Sequence, residues 1–278
     1  MAKPFLKWVG GKTQLLPDLK RRLSELPESF NRYFEPFIGG GALFFSIEPE
    51  RAVISDFNPH LSELYVDIRD NVDGIVSELI KIEREYLNET DHEARRAIYY
   101  EYRDMYNQVE SSLIKSAILI FLNKTCFNGV YRENPNGDFN VPFGRNNLTS
   151  LFNEDTLQHA SRVLQGVDIL AGSYEQAIKT ARAGDFIYLD PPYIPLSDTA
   201  SFTKYTGTGF GVDKQLELRG YFRELDKRGC YVMLSNSNMD KVREFYTGYT
   251  LHEVLANRAV NCKAKGRGKI TELLITNY

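Results

Sequence analysis

The motif Asp190-Pro191-Pro192-Tyr193 follows an apolar run, Phe186–Leu189. Proline fixes φ, lacks an N–H and biases the preceding residue towards extended geometry, so a strand cannot continue through two prolines. The motif therefore predicts a rigid corner at the carboxyl end of a strand, where ligands bind in open α/β sheets. A carboxylate, a proline carbonyl and an aromatic ring suit a planar substrate bearing an amino group. Alone, the motif also fits an ordinary proline-rich loop.

A second set of residues favours a nucleoside site. Glu35-Pro36-Phe37 ends a predicted strand, and the glycine turn Gly39–Gly41 would let a ligand approach the backbone closely. A dinucleotide site would need glycine at Phe44, which argues against pyrophosphate. Asp56 ends the next predicted strand and could accept hydrogen bonds from ribose hydroxyls. An adenosine without phosphates fits, such as S-adenosylmethionine, although a plain turn and a helix N-cap explain the same residues.

The run Gly10-Gly11-Lys12-Thr13 looks like the end of a phosphate-binding loop. Such a loop needs a further glycine where this chain has Leu6, so we reject phosphate binding here. A loop that holds Trp8 and Lys12 could instead close over a carboxylate and an aliphatic chain, or it could be a simple N-terminal turn.

Hydrophobic periodicity predicts an α/β sheet that is interrupted by a mostly helical stretch. The strand Arg32–Phe37, the helix Ala42–Ile47 and the strand Arg51–Ser55 open a Rossmann-like sheet. The predicted helices of the interruption are Leu61–Asp70, Val72–Leu87, Glu93–Val109 and Ser112–Asn123, followed by a loop over Lys124–Ser150. The predicted elements that follow are Val167–Ala171, Tyr174–Ala181, Phe186–Leu189, Leu216–Lys227, Tyr231–Ser235, Met239–Tyr246, Thr250–Leu255 and Glu272–Thr276.

The composition is that of a globular protein in a reducing compartment. The chain has no apolar run long enough to span a membrane, and its N-terminus lacks the apolar core of a signal peptide, so we expect it in the cytoplasm. Three cysteines without Cys-x-x-Cys spacing predict neither a disulfide framework nor a zinc site, and we expect no metal.

The charge distribution is more informative than the net charge of −3. Residues 1–22 carry six Lys and Arg against one Asp, and residues 256–270 carry five with no acid. Local clusters set the field that a ligand meets, whereas net charge mostly affects solubility. We expect the segment Ala256–Gly268 to be a mobile loop that contacts the backbone of a nucleic acid, although a solvated hairpin tip has the same composition.

Taken together, the motifs resemble the GATC-specific DNA adenine N6-methyltransferases of bacteria and phages. The resemblance spans essentially the whole chain and keeps the family's motif order. The segments that carry it are Phe5–Lys12, Glu35–Gly41, Asp56–Asn58, Asn128–Arg132, Phe139–Arg145, Asp190–Tyr193 and Arg267–Leu274.

The resemblance implies a role for each matching residue. The catalytic residues would be Asp190, Pro191, Pro192 and Tyr193. The residues that bind S-adenosylmethionine would be Trp8, Lys12, Glu35, Phe37, Gly39, Gly41, Asp56, Ser173, Tyr174 and Asp190. The DNA-binding residues would be Lys7, Phe127, Asn128, Val130, Arg132, Asn140, Pro142 and Arg145. The chain departs from relatives at Val130, where leucine is common, and at Ser173-Tyr174, where some have Asp-Phe.

The resemblance also implies an architecture and a partner. We expect an α/β fold: a Rossmann-like, S-adenosylmethionine-dependent methyltransferase sheet with an inserted, mostly helical DNA target-recognition domain. Residues 1–58 and 153–278 would form the catalytic domain and residues 59–152 the recognition domain. The partner would be double-stranded DNA with its target base flipped. Nothing in the sequence indicates a membrane or an obligate protein partner.

Alternative functions remain open at this point. The same chemistry could act on RNA or on a protein glutamine amide, and a DNA-binding module could have lost its activity. A nicotinamide oxidoreductase is disfavoured because the third glycine is missing. The sequence also leaves open whether a cognate endonuclease exists.

Overall fold

The computed structural model describes residues 3–110, 112–144, 148–193, 210–257 and 269–278. The chain divides into two compact units. The sheet unit comprises residues 12–38, 49–57 and 166–278, and the helical unit comprises residues 1–11, 39–48 and 58–165. The helical unit includes all of the predicted insertion, residues 59–152, together with residues 1–11, 39–48, 58 and 153–165. The predicted division into catalytic and recognition domains stays a prediction.

The described residues of the sheet unit form a sheet of seven strands: β1 Tyr33–Glu35, β2 Ala52–Asp56, β3 Asp168–Ala171, β4 Phe186–Leu189, β5 Tyr231–Ser237, β6 Thr250–Asn257 and β7 Lys269–Thr276. Their order in the sheet is β3-β2-β1-β4-β5-β7-β6. Strands β1 to β5 pair in parallel, whereas β7 runs antiparallel to both of its neighbours. The Rossmann-like α/β class predicted from the sequence is confirmed.

Strand β4 has the bounds that its apolar run predicts. All four of its residues are buried, because β1 and β5 cover its two edges and both faces are packed. Parallel strands that are covered on both faces are continuous apolar runs in sequence. Leu189 pairs with Leu234 of β5, so β5 extends past the end of β4 through Asn236 and Ser237.

The strand order reverses between β1 and β4. From β1 the sheet continues to β2 and β3 on one side, and from β4 it continues to β5 on the other. At such a reversal the connecting loops diverge and leave a crevice outside the carboxyl ends of the strands. Glu35 ends β1, Asp56 ends β2 and Asp190 follows β4 directly. The sheet therefore brings three of the predicted site carboxylates to the edge where ligands bind.

Most of the described helices of the sheet unit pack on one apolar cluster. Leu218, Phe222 and Leu225 of the longest helix recur at helical spacing and contact buried residues of β1, β4, β5 and β7. The helices predicted over Tyr174–Ala181, Leu216–Lys227 and Met239–Tyr246 are confirmed. The helices of this unit are α1 Leu16–Leu23, α7 Tyr174–Ile178, α8 Val212–Lys227 and α9 Asp240–Phe245.

The helical unit contains α2 Ala42–Ile47, α3 Pro59–Asn88, α4 His92–Gln108, α5 Leu113–Thr125 and α6 Glu154–Leu164. Side chains of Asn58, Asp91, Ser112 and Asn153 accept first-turn N–H groups of α3 to α6, which satisfies backbone donors that a helix cannot pair itself.

The stretches Leu61–Asp70 and Val72–Leu87, predicted as two helices, lie on either side of a kink within α3. Asn71 at the kink has a non-helical φ of −150°, and its side chain accepts the Gly74 N–H, so the predicted break is confirmed. Helix α6 was not predicted, although Asn153, two following acids and Leu157 and Leu164 at helical spacing form an N-terminal signature.

Three further observations concern the described residues only. None of their helices is long and apolar enough to cross a membrane. No group of three His, Cys, Asp or Glu side chains among them could hold a metal ion. Cys126 and Cys230 are buried free thiols.

Candidate functional site

The Asp190–Tyr193 corner lies at the carboxyl end of β4, and a lysine lies against it. The ammonium of Lys12 is 2.8 Å from Asp190 Oδ1 and 4.9 Å from the centroid of the Tyr193 ring. Lys12 itself is only 8% exposed. Lys12 and Asp190, both predicted from sequence, are therefore brought together within the sheet unit.

The surroundings shift the pKa of the Asp190 carboxyl upward. Burial is the main cause and the nearby Glu272 carboxylate adds to it, whereas Lys12 and a hydrogen bond from Tyr193 oppose the rise. A buried carboxylate with one positive neighbour is a strong acceptor that is poorly solvated by water. It can bind an amino group of a substrate without a large reorganisation of solvent.

Tyr193 presents a ring and a fixed hydroxyl. Its hydroxyl donates to Glu272 Oε2 at 2.9 Å. Burial raises the pKa of Tyr193 well above its usual value, and the carboxylates of Asp190 and Glu272 raise it further. The hydroxyl therefore stays protonated, which leaves the ring as a flat apolar surface. Glu272 was not predicted as a site residue, although it lies within the matched segment Arg267–Leu274.

A buried amide meets the same corner. Nε2 of Gln215, in α8, donates to the carbonyl of Pro192 at 2.9 Å. Pro191 is buried and Pro192 is exposed, so the corner turns from the core towards the surface. Sequence reasoning missed Gln215, because nothing in its local pattern shows what it contacts 23 positions away.

The carboxyl end of β1 carries a buried acid. The hydroxyl of Tyr33 donates to Glu35 Oε2 at 2.7 Å, which orients the Glu35 carboxylate. The Phe37 ring, two residues later, stacks on Tyr174 at 5.2 Å with an interplanar angle of 30°. Glu35, Phe37 and Tyr174 were predicted from sequence, and the sheet unit brings Phe37 and Tyr174 into contact.

Asp56 and Ser173 follow neighbouring strands. The carbonyl of Asp56, at the end of β2, accepts the N–H of Gly172, just before Ser173. Ser173 in turn precedes α7, whose first residue is Tyr174. Phe57, which was not predicted, exposes 61% of its surface next to Asp56.

The glycine turn belongs to the helical unit and is packed against Trp8. Gly39 has a φ of +47°, and a Cβ there would lie 2.9 Å from Trp8 Cδ1. Gly41, with a φ of +67°, precedes α2, where a Cβ would meet the Phe45 ring at 2.9 Å. Both positions therefore require glycine for conformation and for space. On its other side Trp8 stacks on Tyr131 at 5.5 Å.

Residues Cys126–Gly144, here called segment 126–144, contain most of the remaining predicted residues. The segment folds back on itself through bridges between Cys126 and Phe143 and between Glu133 and Phe139. Phe127 is 56% exposed, and its N–H donates to the carbonyl of Pro142 at 2.9 Å. The fold-back therefore brings two predicted DNA-binding residues together at its base.

The start of segment 126–144 is fastened to the N-terminus of the chain. The amide of Asn123 accepts from Lys7 N–H at 3.0 Å and donates to the carbonyls of Lys7 and Gly129. A Cβ on Gly129, whose φ is +63°, would lie 2.7 Å from Lys7 Cδ. Asn128 also has a left-handed φ of +58° and is exposed, and Val130 follows it. Lys7 and the Phe127–Val130 run thus lie side by side.

Arg132 and Asn140 form the second pair of segment 126–144. Arg132 Nε donates to Asn140 Oδ1 at 2.6 Å, and its Nη2 donates to the Asn140 carbonyl at 3.1 Å. The Asn140 N–H donates back to the carbonyl of Arg132. A guanidinium held on two sides has few rotamers left to lose when it binds a ligand. Arg145 lies outside the described residues. Of the expected loop Ala256–Gly268, the first two residues belong to β6 instead, and residues 258–268 lie outside the described residues.

The fold and these groups define an α/β enzyme of the Rossmann-like class, and comparisons with known proteins narrow the class. The sequence model of the D12 class N6 adenine-specific DNA methyltransferases matches residues 8–260. The chain therefore belongs to this family, which confirms the family predicted from the motifs. It is a DNA adenine methyltransferase.

Individual relatives match over nearly their whole lengths. The type II methyltransferase M.MjaIII of Methanocaldococcus jannaschii is 43% identical, with 99% of each chain covered. The type II methyltransferase M1.LlaDCHI of Lactococcus lactis is 41% identical, with 99% of this chain and 95% of the relative covered. The DNA adenine methylase of Escherichia coli is 33% identical, with 98% and 94% covered.

Proposed function

We propose that this enzyme transfers a methyl group from S-adenosylmethionine to N6 of an adenine that is flipped out of duplex DNA, at the sequence GATC. The observation that carries the chemistry is the Asp190–Tyr193 corner, with a buried carboxylate, a proline carbonyl and a flat ring at the carboxyl end of β4. The GATC sequence rests on the resemblance of the motifs, with Lys7 and Arg132 as readers of guanine.

The groups of the corner suit the main chemical difficulty of the reaction, which is the weak nucleophilicity of the adenine amine. The lone pair of the adenine amine is delocalised into the ring, so the amine is a poor nucleophile. Hydrogen bonds donated by its two N–H groups to the Asp190 carboxylate and the Pro191 carbonyl would favour a pyramidal nitrogen with a localised lone pair. Tyr193 would stack on the base. Orientation of this kind contributes about 7–11 kcal/mol, and acceptors that are fixed beforehand stabilise charge as it develops.

Several groups of the sheet unit suit an adenosine without phosphates. Asp56 and Glu35 would accept hydrogen bonds from hydroxyl and amino groups, and their negative charge disfavours a phosphate. The Phe37–Tyr174 stack offers an apolar wall, and Ser173 a small polar neighbour. S-adenosylmethionine would supply an electrophilic methyl carbon. Lys12, which can bind a carboxylate, and Trp8, Gly39 and Gly41 complete the proposed cofactor-binding set.

Segment 126–144 supports a role in reading and opening the duplex. A largely exposed ring such as Phe127 can fill the gap that a flipped base leaves, and flipping costs roughly a few kcal/mol. Arg132 can pair bidentately with O6 and N7 of a guanine. By resemblance, Val130 and Pro142 read further bases, while Asn128, Asn140 and Arg145 belong to the same DNA-binding set. Residues 59–152 would then be the recognition domain.

The proposed specificity can be tested with labelled cofactor and four nucleic acids. Methyl incorporation is compared for a duplex with one GATC, the same duplex hemimethylated, the same duplex with the site shuffled to GTAC, and an RNA of the same sequence. We expect incorporation into the first two, with product resistant to an endonuclease that methylation of GATC blocks. Equal incorporation into the shuffled duplex would exclude GATC specificity, and preference for RNA would exclude the proposed substrate.

Base flipping has its own readout. A duplex with 2-aminopurine at the target position fluoresces more strongly when the base leaves the stack. We expect an increase with the wild-type enzyme and a smaller one with Phe127→Ala. An unchanged signal at saturating wild-type enzyme would contradict the proposed flipping.

A further inference from the structure

Two buried amides connect β5 to the corner. Gln215 and Asn236 are each 0% exposed. Asn236 Nδ2 donates to Gln215 Oε1 at 3.0 Å, and Gln215 Nε2 donates to the carbonyl of Pro192 at 2.9 Å. Asn236 Oδ1 accepts the N–H of Ser237 at 2.8 Å. Buried amides are costly unless their hydrogen bonds are made, so such a chain of contacts is a specific arrangement.

The groups at the two ends of this series of hydrogen bonds fix which atoms donate and which accept. The Ser237 N–H can only donate, so the atom of Asn236 that faces it is the oxygen. The other side-chain atom of Asn236 is then a donor, which requires the oxygen of Gln215 to face it. The remaining nitrogen of Gln215 meets the carbonyl of Pro192, which can only accept. All three bonds therefore point towards the corner, and each polarises the next.

The hydrogen bond from Gln215 to the Pro192 carbonyl constrains ψ of Pro192, a backbone torsion that the proline rings leave free. Each proline ring fixes its own φ near −65°, and neither proline has an N–H through which the backbone could be held. The angle between the Pro191 carbonyl and the Tyr193 ring therefore depends on ψ of Pro192, together with φ and the side-chain torsions of Tyr193. That ψ sets the direction of the carbonyl that Gln215 binds. The Tyr193 hydroxyl is held separately by Glu272, which pairs with Ser237 across β5 and β7.

We propose that Gln215, oriented by Asn236, is a positioning residue that sets the angle between the acceptor carbonyl of Pro191 and the ring of Tyr193. This inference rests on the proposed role of the corner in methyl transfer. Gln215 acts through the backbone of Pro192 and contacts neither substrate.

The test uses Gln215→Leu, which keeps the volume and removes the amide. We expect the single-turnover rate of methyl transfer to fall about 10- to 100-fold, since a misplacement of 1 Å can cost 100-fold. Affinities for S-adenosylmethionine and for the GATC duplex should change less than about twofold, because no binding group is removed. In the double variant with Asn236→Ala, the rate should be no lower than in Gln215→Leu alone, because both residues act through one bond.

The pH dependence of the rate of Gln215→Glu distinguishes a positioning role from a purely structural one. When protonated, the introduced carboxyl group could still donate to the Pro192 carbonyl, whereas its ionised form could not. The rate of Gln215→Glu relative to wild type should therefore rise as the pH falls. A ratio that is constant with pH, in a folded variant, would overturn the proposal. This variant also decides the matter if Gln215→Leu fails to fold.

Two controls separate the possible failures. Asn277 is an amide on the opposite end of β5, where it binds Val232 N–H and the Cys230 carbonyl. Asn277→Leu should lower the melting temperature without lowering the rate per folded molecule. Asp190→Ala tests the corner itself. If Asp190→Ala is inactive and Gln215→Leu keeps the wild-type rate, only the positioning role is wrong. If Asp190→Ala is active, the proposed function is wrong.

Discussion

The Asp190–Tyr193 corner and the Arg132–Asn140 pair of segment 126–144 are held in opposite ways. The corner depends on partners from distant parts of the sequence: Glu272 lies 79 positions from Tyr193, and Gln215 lies 23 positions from Pro192. Segment 126–144 also has distant partners, such as Asn107 on Phe139, but Arg132 is held by Asn140, which is only eight positions away.

The difference follows from what each region has to do. Catalysis needs acceptors whose positions are set before the substrate arrives, because a preorganised group need not reorganise during the reaction. Distant, buried contacts provide that rigidity. Reading of DNA needs side chains that reach outward, and a local fold-back can order them while Phe127 stays exposed. The predictions below test this contrast between distant and local anchoring.

The largest expected effect is the loss of catalysis in Asp190→Ala. Removal of the acceptor at the end of β4 should lower the rate of methyl transfer more than about 1000-fold, or roughly 4 kcal/mol. The fold should survive although Lys12 loses its ion pair with Asp190, so the rate is expressed per folded molecule. Single-turnover incorporation of labelled methyl into a GATC duplex measures the effect. A residual rate above about a tenth of wild type, a loss under roughly 1.4 kcal/mol, would show that Asp190 is not catalytic.

Asp185, just before the other end of β4, provides the matched control. It is buried, and it binds Arg32 Nη2 at 2.7 Å and the Arg182 N–H at 3.0 Å. Asp185→Ala should destabilise the fold by about 3–5 kcal/mol, because it leaves a largely buried arginine unpaired. Its rate per folded molecule should stay near wild type. Comparison of Asp185→Ala with Asp190→Ala, at the two ends of β4, therefore separates an effect on stability from an effect on catalysis.

Two phenylalanines in segment 126–144 should differ in stability. Phe139 is 1% exposed and packs edge-on against Tyr106 and Tyr131, whereas Phe127 is largely exposed. Phe139→Ala should cost about 3–5 kcal/mol in unfolding free energy. Phe127→Ala should change the free energy of unfolding by no more than about 0.5 kcal/mol. Denaturant titration checks both values. If Phe127→Ala cost as much as Phe139→Ala, Phe127 would be a packing residue rather than one available for DNA.

A smaller effect is expected for Arg132→Ala. The variant should lose about 1–3 kcal/mol on the GATC duplex and discriminate less at one guanine. Asn140→Ala should weaken the same discrimination less, because Asn140 only orients the guanidinium. Binding to cognate and shuffled duplexes is compared at one salt concentration. Equal losses on both duplexes would indicate that Arg132 contacts phosphate.

Sequence alone predicted much of this molecule where the signal is local. The apolar run of β4 and the prolines after it are adjacent, so both the strand and its corner follow from short-range rules. The acids at the ends of β1 and β2 are also adjacent to their strands. The order of the motifs then gave the family, which a single motif could not.

The remaining features depend on contacts that no local pattern encodes. Gln215 looks like any polar residue in the first turn of a helix, and only the fold brings it to Pro192. The glycine turn is predicted to let a ligand approach the backbone, and the structure adds a contact that no local pattern shows, the Trp8 side chain beside Gly39. Lys12 was predicted to bind a cofactor, and the structure adds an ion pair with Asp190 that sequence spacing cannot show.

The smallest expected effect concerns this ion pair and the pH dependence of the reaction. Burial raises the pKa of Asp190 and Lys12 lowers it. Lys12→Met removes the opposing charge, so the pKa of Asp190 should rise further. Because the carboxylate is the active form, the acidic limb of kcat/KM for DNA should move to higher pH. This quantity, measured at saturating cofactor, reports the ionisation of the enzyme before DNA binds. Lys20→Met, which removes a positive charge from α1, should leave the limb in place. If the acidic limb of Lys12→Met lies at the same or at a lower pH than that of wild type, the ion pair does not control the pKa of Asp190.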